Sequence, residues 1–390
     1  MFREETEKHL RESLIPFWMK LKDDNYGGYF GFMDNDLNIA ERSGKGCLLN
    51  SRILWFFSTC ALLLHDKKCL DYAGHAFDFL KRSYIDDEFG GLYWSATFDG
   101  NPLDTCKHTY CQAFAVYGLS AYYRASGNKE SLALAKELTG FIEEKCRDEN
   151  GYLESFNRDL SPSVNDKLSE NGVIAERTMN TLLHVFEAYT ELYEAGAVEE
   201  TAPKIKEMLR IFKDRMYDPA RHCQKVFFDK DYNSLLDLVS YGHDIETSWL
   251  LDRGLEVLGD EELTREMTPI TDDLADNILH NAFDGHSLPA ECEKGKVNED
   301  RIWWAQAETV NGFLNKYLQD PSKEEYKTAV LAEWEYIKEK FIYEQSGGEW
   351  YSQLDANGVP YKDKPLVEPW KCPYHNGRMC LEVIRRDVRF

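Results

Sequence analysis

Apolar residues recur along this chain at two spacings, and the alternation between them organises the sequence. Over long stretches they fall at i, i+3, i+4 and i+7, which puts them on one stripe of a helix. These stretches come in pairs. The first members run roughly from Cys47 to Leu64, Thr109 to Ser126, Thr178 to Ala195, His243 to Leu258, Arg301 to Leu318 and His375 to Arg386. The second members run from Cys69 to Ile85, Lys129 to Cys146, Ala202 to Tyr217, Glu261 to Asn281 and Ser322 to Ile342. Between pairs the pattern changes to glycine, then aromatic or β-branched residues, then Asp or Asn, as a short hairpin requires. Such segments are GGYFGFMDND from Gly27, GGLYWSATFDG from Gly90, GYLESFNRD from Gly151, VFFDKDYN from Val226, a weaker DGHSLPAEC from Asp284 and GGEWYSQLDANG from Gly347. The interval is about sixty residues, the signature of an internal repeat.

The last first-member helix has no partner after it. The N-terminal segment, roughly Thr6 to Leu21, supplies one, so the sixth pair joins the two ends of the chain. Six pairs closed in this way predict an all-α fold, an (α/α)6 barrel of six inner and six outer helices, with short β-hairpin loops at the end that carries the active site. Residues 1–390 are expected to form one such catalytic domain. An open solenoid stacks the same pairs without closure, but it keeps a tighter repeat and polar caps at both ends.

Composition narrows the partners. Against 46 basic residues stand 69 acidic ones, a formal charge of −23, which repels phosphate backbones and anionic lipid. Neither nucleic acid nor a membrane is expected as a partner; a small neutral or cationic molecule is. The ten cysteines are scattered without a CxxC pair, as buried thiols of a reducing compartment are. The N-terminus MFREETEKHLRESL has no signal-peptide core, and no apolar stretch long enough to span a bilayer is read after it. The expectation is a cytoplasmic monomer.

Candidate chemistry sits at the start of each inner helix. The residues are Arg52 in LLNSRILWFF, Tyr110 in KHTYCQAF, Asn180 and His184 in ERTMNTLLHVFEAY, His243 and Glu246 in SYGHDIETSWLL, Trp303, Trp304 and Glu308 in DRIWWAQAETV, and His375 in PYHNGRMC. Singly, each has a plainer reading. His184 fits a satisfied core histidine, Glu246 a helix cap, the tryptophans core filling, and Arg52 a partner for a buried carboxylate. Together they describe a polar, sugar-sized pocket at one barrel mouth, because core filling does not require such groups at the same end of six helices. The remaining histidines, His9, His65, His75, His108, His222, His280 and His286, lie on outer helices, in loops or before the motif residue and read as structural or solvated.

Imidazoles without an obvious acidic pair suit proton transfer near neutral pH. Removing a proton from a carbon beside a carbonyl makes an enediolate, whose oxygen needs a fixed cation or donor such as Arg52 with Asn180 and His184. His243 and His375 come from inner helices that are not adjacent, so they can face one another across the mouth. Glu246, one turn after His243, is placed to orient its ring. Trp249, Trp303, Trp304 and Trp370 are candidates to stack on a sugar face, although Trp249 lies in an apolar run that fits core packing as well.

At these positions the sequence resembles the disaccharide 2-epimerases of the N-acylglucosamine 2-epimerase superfamily. The resemblance rests on IPFWMKLKDDNYGGYFG, NSRILWFF, KHTY, TMNTLLHVFEAYTELY, SYGHDIETSWLLDR, RIWWAQAE and GGEWYS followed by EPWKCPYHNGRMC, and it runs from end to end. It implies the (α/α)6 fold and an isomerase that interconverts glucose and mannose at the reducing end of β-1,4-linked disaccharides such as cellobiose and lactose, with no cofactor and no metal. The implied steps are ring opening, removal of the C2 proton, rotation of a cis-enediolate and reprotonation on the other face. By the same resemblance His243 and His375 are the acid/base residues, Glu246 supports the first, and Arg52, Asn180 and His184 stabilise the enediolate. Tyr110, Trp304, Glu308 and Trp370 are then sugar contacts. Departures beside the motifs, Cys111, Gln112 and Asn311, bear on substrate preference. Competing readings are a monosaccharide epimerase or mannose isomerase of the same superfamily, a glycosidase, which needs a carboxyl pair where histidines stand, and a zinc site on His184, His243 and His375, which lacks the usual close ligand spacing.

Overall fold

The computed structural model describes residues 1–168 and 171–390. Thirteen α-helices among the described residues account for the architecture. The N-terminal segment forms α1 (Phe2–His9) and α2 (Ile15–Lys20), joined through a wide π turn at Leu10–Leu14. Then follow α3 (Cys47–Leu64), α4 (Lys67–Ser83), α5 (Thr109–Ser126), α6 (Lys129–Lys145), α7 (Met179–Glu194) and α8 (Val198–Ile211). The chain ends with α9 (Tyr241–Leu258), α10 (Glu261–Asn277), α11 (Trp303–Gln319), α12 (Glu324–Tyr336) and α13 (His375–Arg385).

The odd helices from α3 to α13 pack side by side in sequence order, and α13 returns to α3, which closes the ring. Helices α4, α6, α8, α10 and α12 each lie against the inner helix before them, and α1 lies against α13. The barrel predicted from the pairing is therefore the one formed, including the sixth pair made from the two chain ends. Phe2 stacks on Phe390 at 5.8 Å, and Trp334 of α12 donates its indole N–H to Glu5 at 2.9 Å. The inner helices are buried on nearly every side, so their faces are apolar or paired all round, whereas the outer helices carry one apolar stripe. Asp66, Asn128 and Asp260 cap α4, α6 and α10 with their side chains, which fixes where the outer helices begin.

Three outer helices run on through five-residue π turns at Phe212–Met216, Ile278–Ala282 and Ile337–Phe341 before the chain extends. This accounts for the periodicity reaching Tyr217, Asn281 and Ile342. Helix α3 corrects one expectation: it is long and apolar enough to cross a membrane by composition, yet it is an inner barrel helix and 72% buried.

The glycine-rich segments are more than isolated hairpins. The two residues that lead into one inner helix pair antiparallel with the segment of the next repeat: Lys45–Gly46 with Ser95–Ala96, Lys107–His108 with Ser155–Phe156, Arg177–Thr178 with Phe227–Phe228, Leu238–Val239 with Cys292–Glu293, and Arg301–Ile302 with Gln353–Leu354. A bridge from Met33 to Val367 links the first repeat to the last. The loops thus zip the same barrel mouth together that the helices close below. Gly28 and Gly91 hold φ of +68° in these segments, and a Cβ there would meet the rings of Phe79 and Phe141 at 2.6 Å, so the repeated glycine has a steric cause.

Ion pairs with a buried cation repeat with the same period. Lys45 binds Asp23 at 2.6 Å, Lys107 binds Asp86 at 2.9 Å, Arg177 binds Asp148 at 2.6 Å, and Arg301 binds Asp284 at 2.5 Å. In each, the cation stands two residues before an inner helix and the aspartate turns the chain after an outer one. Lys371 and Glu349, 2.6 Å apart, serve the sixth repeat, and Trp18 donates to the same carboxyl, tying the N-terminal helix to the start of α13. The fourth repeat places Val239 where the others have the cation.

Candidate active site

The zipped mouth encloses a cavity of about 120 Å³. Ten of the twelve residues anticipated from the sequence line it: Arg52, Tyr110, Asn180, His184, His243, Glu246, Trp303, Trp304, Trp370 and His375. Trp304 stands between two histidines, its ring 4.6 Å from that of His243 and 5.6 Å from that of His375. Gly242 permits this, since a Cβ there would sit 2.6 Å from the Trp304 ring. Trp303 meets His375 edge-on at 5.3 Å, and Trp370 packs on Tyr110 at 5.6 Å.

Two expectations fail on position. Glu308 and Trp249, expected to touch sugar, lie behind the cavity wall: Trp249 Nε1 donates to Glu308 Oε2 at 2.9 Å, and both side chains are buried away from the cavity. A third fails on partner. Glu246 does not orient His243, because its Oε1 accepts from Arg378, while His243 Nδ1 meets Ser240 Oγ at 2.7 Å. Glu246 Oε2 is buried without a protein partner.

Beneath the pocket lies a second layer of charge, of which the motifs pointed to Glu246 and Glu308 but not to Glu187 and Arg378. Three inner helices carry a histidine followed three residues later by a charged group: His184 and Glu187, His243 and Glu246, His375 and Arg378. On a helix this spacing puts both side chains on one face with the second a turn deeper. Glu308, four residues after Trp304, joins the same layer. His184 Nδ1 lies 2.9 Å from Glu187 Oε2, and His375 Nδ1 lies 2.8 Å from Glu308 Oε1. Arg378 sits at the centre, donating to Glu187, to the Tyr374 hydroxyl and to Glu246, with Glu308 Oε1 at 2.7 Å. The i, i+3 spacing was the available signal for Glu187 and Arg378; Asn171 and Glu291, which meet at 3.0 Å on the rim, come from loops that carry none.

The electrostatics follow from burial and this layer. Burial lowers His184 to about 4 against the pull of Glu187, and lowers His243 to about 3. His375 is held well below its ordinary value by burial and by Arg378 and Arg52. All three imidazoles are neutral at neutral pH. Glu187 is buried too, but Arg378, His184 and Tyr374 outweigh burial and bring it down to about 2. Burial and the neighbouring Glu308 push Glu246 up to about 8. Burial raises Glu308 as well, opposed by Arg378, Trp249 and Asn311; of the two acids it has more donors, from Trp249, Asn311, His375 and Arg378, so it carries the negative charge and Glu246 holds the proton.

Arg52 is different from Arg378. It is 2% exposed, donates to Tyr110 Oη at 2.8 Å and to the Trp370 carbonyl at 3.3 Å, and lies 4.1 Å over the Phe114 ring. Among the described residues no carboxylate pairs with it. Donor atoms of Glu246, Glu308 and His375 fall within 4.8 Å of one another, a grouping that can hold a cation, and the guanidinium of Arg378 supplies positive charge at that point. The histidines set aside from the sequence are indeed structural where buried: His108 accepts from the Tyr110 N–H at the start of α5, and His9 takes the Trp350 indole N–H.

Fold and site together define the class, an (α/α)6-barrel enzyme with a histidine-lined pocket at its loop-bearing mouth. Residues 28–376 match the family profile of N-acylglucosamine 2-epimerase (GlcNAc 2-epimerase), and the chain belongs to that family and is an isomerase. It is 49% identical to the cellobiose 2-epimerase of Eubacterium cellulosolvens over 397 aligned positions, covering 98% of each chain. A sugar epimerase from a ruminal bacterium superposes with a TM-score of 0.98 at 45% identity, covering all of both chains. The cellobiose 2-epimerase of Bacillus thermoamylovorans superposes with a TM-score of 0.94 at 42% identity over 99% of each.

Proposed function

We propose that the protein epimerises C2 of the reducing-end sugar in β-1,4-linked disaccharides, converting cellobiose to glucosyl-mannose and lactose to epilactose. The observation that carries this reading is Arg52, a buried guanidinium without a carboxylate, facing the same cavity as His243 and His375. A buried cation of this kind is completed by an anion that forms during reaction, and an enediolate is such an anion. Its names in the relatives supply the substrate; the geometry supplies the means.

Ring opening presents an aldehyde at C1. One imidazole, neutral because burial depresses its pKa, takes the proton from C2, and the electron pair moves onto O1 as a cis-enediolate beside Arg52, Asn180 and His184. With Nδ1–H directed at Glu308, His375 keeps its Nε2 lone pair for this step, a tautomer assigned from the hydrogen bond. Charge on the enediolate then favours an imidazolium next to it. After rotation about C2–C3, the second histidine, made an imidazolium by taking the O1–H proton as the ring opened, gives that proton to C2 from the opposite side, and the first histidine returns the abstracted proton to O1 as the ring closes, so every proton taken is replaced. Glu246, protonated near neutral pH and open at Oε2, is a proton source for the ring oxygen as the ring opens. Trp303, Trp304 and Trp370 offer faces for the two pyranoses. Hydrolysis is disfavoured by the arrangement of the acids, since Glu246 and Glu308 reach the same nitrogen of Arg378 and cannot flank a glycosidic bond.

The test is incubation with cellobiose in deuterated water. Glucosyl-mannose carrying deuterium at C2 is expected. Free glucose overturns the reading in favour of hydrolysis, and exchange confined to N-acylglucosamine or mannose overturns it in favour of a monosaccharide enzyme.

A further inference from the structure

We infer that Arg378 is a positioning residue of this reaction, one guanidinium that keeps Glu187 and Glu308 anionic beneath His184 and His375 and thereby fixes which ring nitrogen of each imidazole faces the sugar. The inference rests on the proposed function, since it concerns how the histidines are made into bases.

Arg378 is 1% exposed and bonded on several sides. From α7 it meets Glu187, which holds His184; from α9 it meets Glu246; from α11 it meets Glu308, which holds His375. From its own helix and the turn before it come Tyr374 and His375, with Glu382 one turn deeper. Trp249 lies 4.9 Å from its centre, and Tyr117 of α5 and Trp55 of α3 complete the surround. Two histidine–carboxylate pairs on separate helices therefore share one cation. Each carboxylate needs that cation, because a buried anion left unpaired takes up a proton instead. A protonated Glu308 no longer draws Nδ1–H from His375, and the tautomer that leaves Nε2 free is lost. Lysine cannot replace the fork, since one ammonium does not span three carboxyls set around a planar guanidinium.

A second cavity makes the inference testable by chemistry. At the barrel end opposite the loops, a cavity of about 80 Å³ opens between Trp55, Tyr117, Glu191 and Arg253 and reaches Arg378 and Glu187 from behind. A small planar cation can enter there without passing through the sugar pocket.

The experiment uses the full chain with Arg378→Lys and Arg378→Ala, cellobiose as substrate and deuterated water. For Arg378→Lys, kcat is expected to fall about 10²-fold with KM within about threefold, with the acid limb of kcat displaced to higher pH. For Arg378→Ala, millimolar methylguanidinium is expected to restore part of the lost activity, and ammonium at equal concentration is not. If the alanine variant does not fold, the lysine variant decides. A lysine variant with wild-type kcat and pH profile overturns the inference. So does a loss of activity that only follows a fall in Tm and is not rescued by methylguanidinium. Should the wild type itself leave C2 unexchanged, the proposed function fails first, and that outcome is told apart from failure of the Arg378 role.

Discussion

Glu308 Oε1 lies 2.8 Å from His375 Nδ1, behind the pocket rather than in it. A carboxylate in that position raises the basicity of the far nitrogen and fixes its direction without touching substrate. Glu308→Gln keeps the shape and an acceptor but removes the charge. Its kcat on cellobiose is expected to drop about 10²-fold with KM nearly unchanged, read from steady-state kinetics. A comparable rise in KM would instead place Glu308 on the sugar.

The pH profile of kcat/KM follows from the buried imidazoles. An exposed histidine titrates at its ordinary 6.5, whereas His243 is lowered to about 3 and His184 to about 4, in each case chiefly by burial. The free enzyme therefore keeps neutral bases well below 6.5. No acid limb is expected near 6.5, and the fall should begin only below about pH 5. A limb at 6.5 would mean that the working histidine is solvated.

Much of this site was legible in the sequence, and the reason is the helix period. Residues at the start of an inner helix face the mouth whatever their neighbours do, so Arg52, Tyr110, Asn180, His243 and His375 could be placed from position in the repeat alone. The deeper layer was not placed, because its partners arrive from other helices. Glu246 is one turn from His243, and nothing in SYGHDIE reports that Arg378, 132 residues later, takes its carboxylate instead. Trp249 is six residues along the helix from His243, and its ring belongs to the level of Arg378. The outer helices were found but overrun at their ends, where π turns continue the apolar stripe past the last α-helical residue. Pairing of each inner-helix leader with the next repeat was invisible because two-residue strands carry no alternation.

Glu154 gives a stability prediction with a definite sign. Burial raises its pKa from 4.5 to about 7, opposed by the hydrogen bonds from Thr178 and Thr181. A carboxyl raised on folding contributes stability that is fully present below 4.5 and is lost as pH rises through 7. Glu154→Gln keeps an oxygen to accept the Thr178 N–H, presents an N–H that the Thr181 hydroxyl can accept by rotating, and does not titrate. The difference in unfolding free energy from urea titrations, variant minus wild type, is therefore expected to grow more positive from pH 5 to pH 9, approaching about 3 kcal/mol. A difference that is flat with pH would show that Glu154 is ionised throughout.

Gly242 tests the placement of Trp304 between the histidines. A methyl group at this position would meet Trp304 at 2.6 Å and the Ala305 methyl at 2.8 Å, so the indole must move. Gly242→Ala is expected to reduce kcat/KM at least about tenfold, while the helix-favouring alanine limits the loss of stability to about 1–3 kcal/mol. Kinetics and thermal unfolding on the same preparation separate the two effects. Wild-type kinetics would mean that Trp304 contributes nothing by its position.

The repeated ion pairs make the final prediction, and the fourth repeat supplies its control. Lys45 and Asp23 are 2.6 Å apart with side chains 0% and 1% exposed. Lys45→Val leaves Asp23 buried and without its cation, which costs about 3–5 kcal/mol, whereas replacing both members costs less because no charge is stranded. Val239 already occupies the equivalent place in the fourth repeat. Lys45→Val is therefore expected to lower stability by about 3–5 kcal/mol in urea unfolding, and adding Asp23→Asn should recover a good part of it, since the amide Oδ1 still accepts the N–H groups of Asn25 and Tyr26. If the double variant is as unstable as the single one, the pair is needed for its own attraction and not merely to neutralise a buried aspartate.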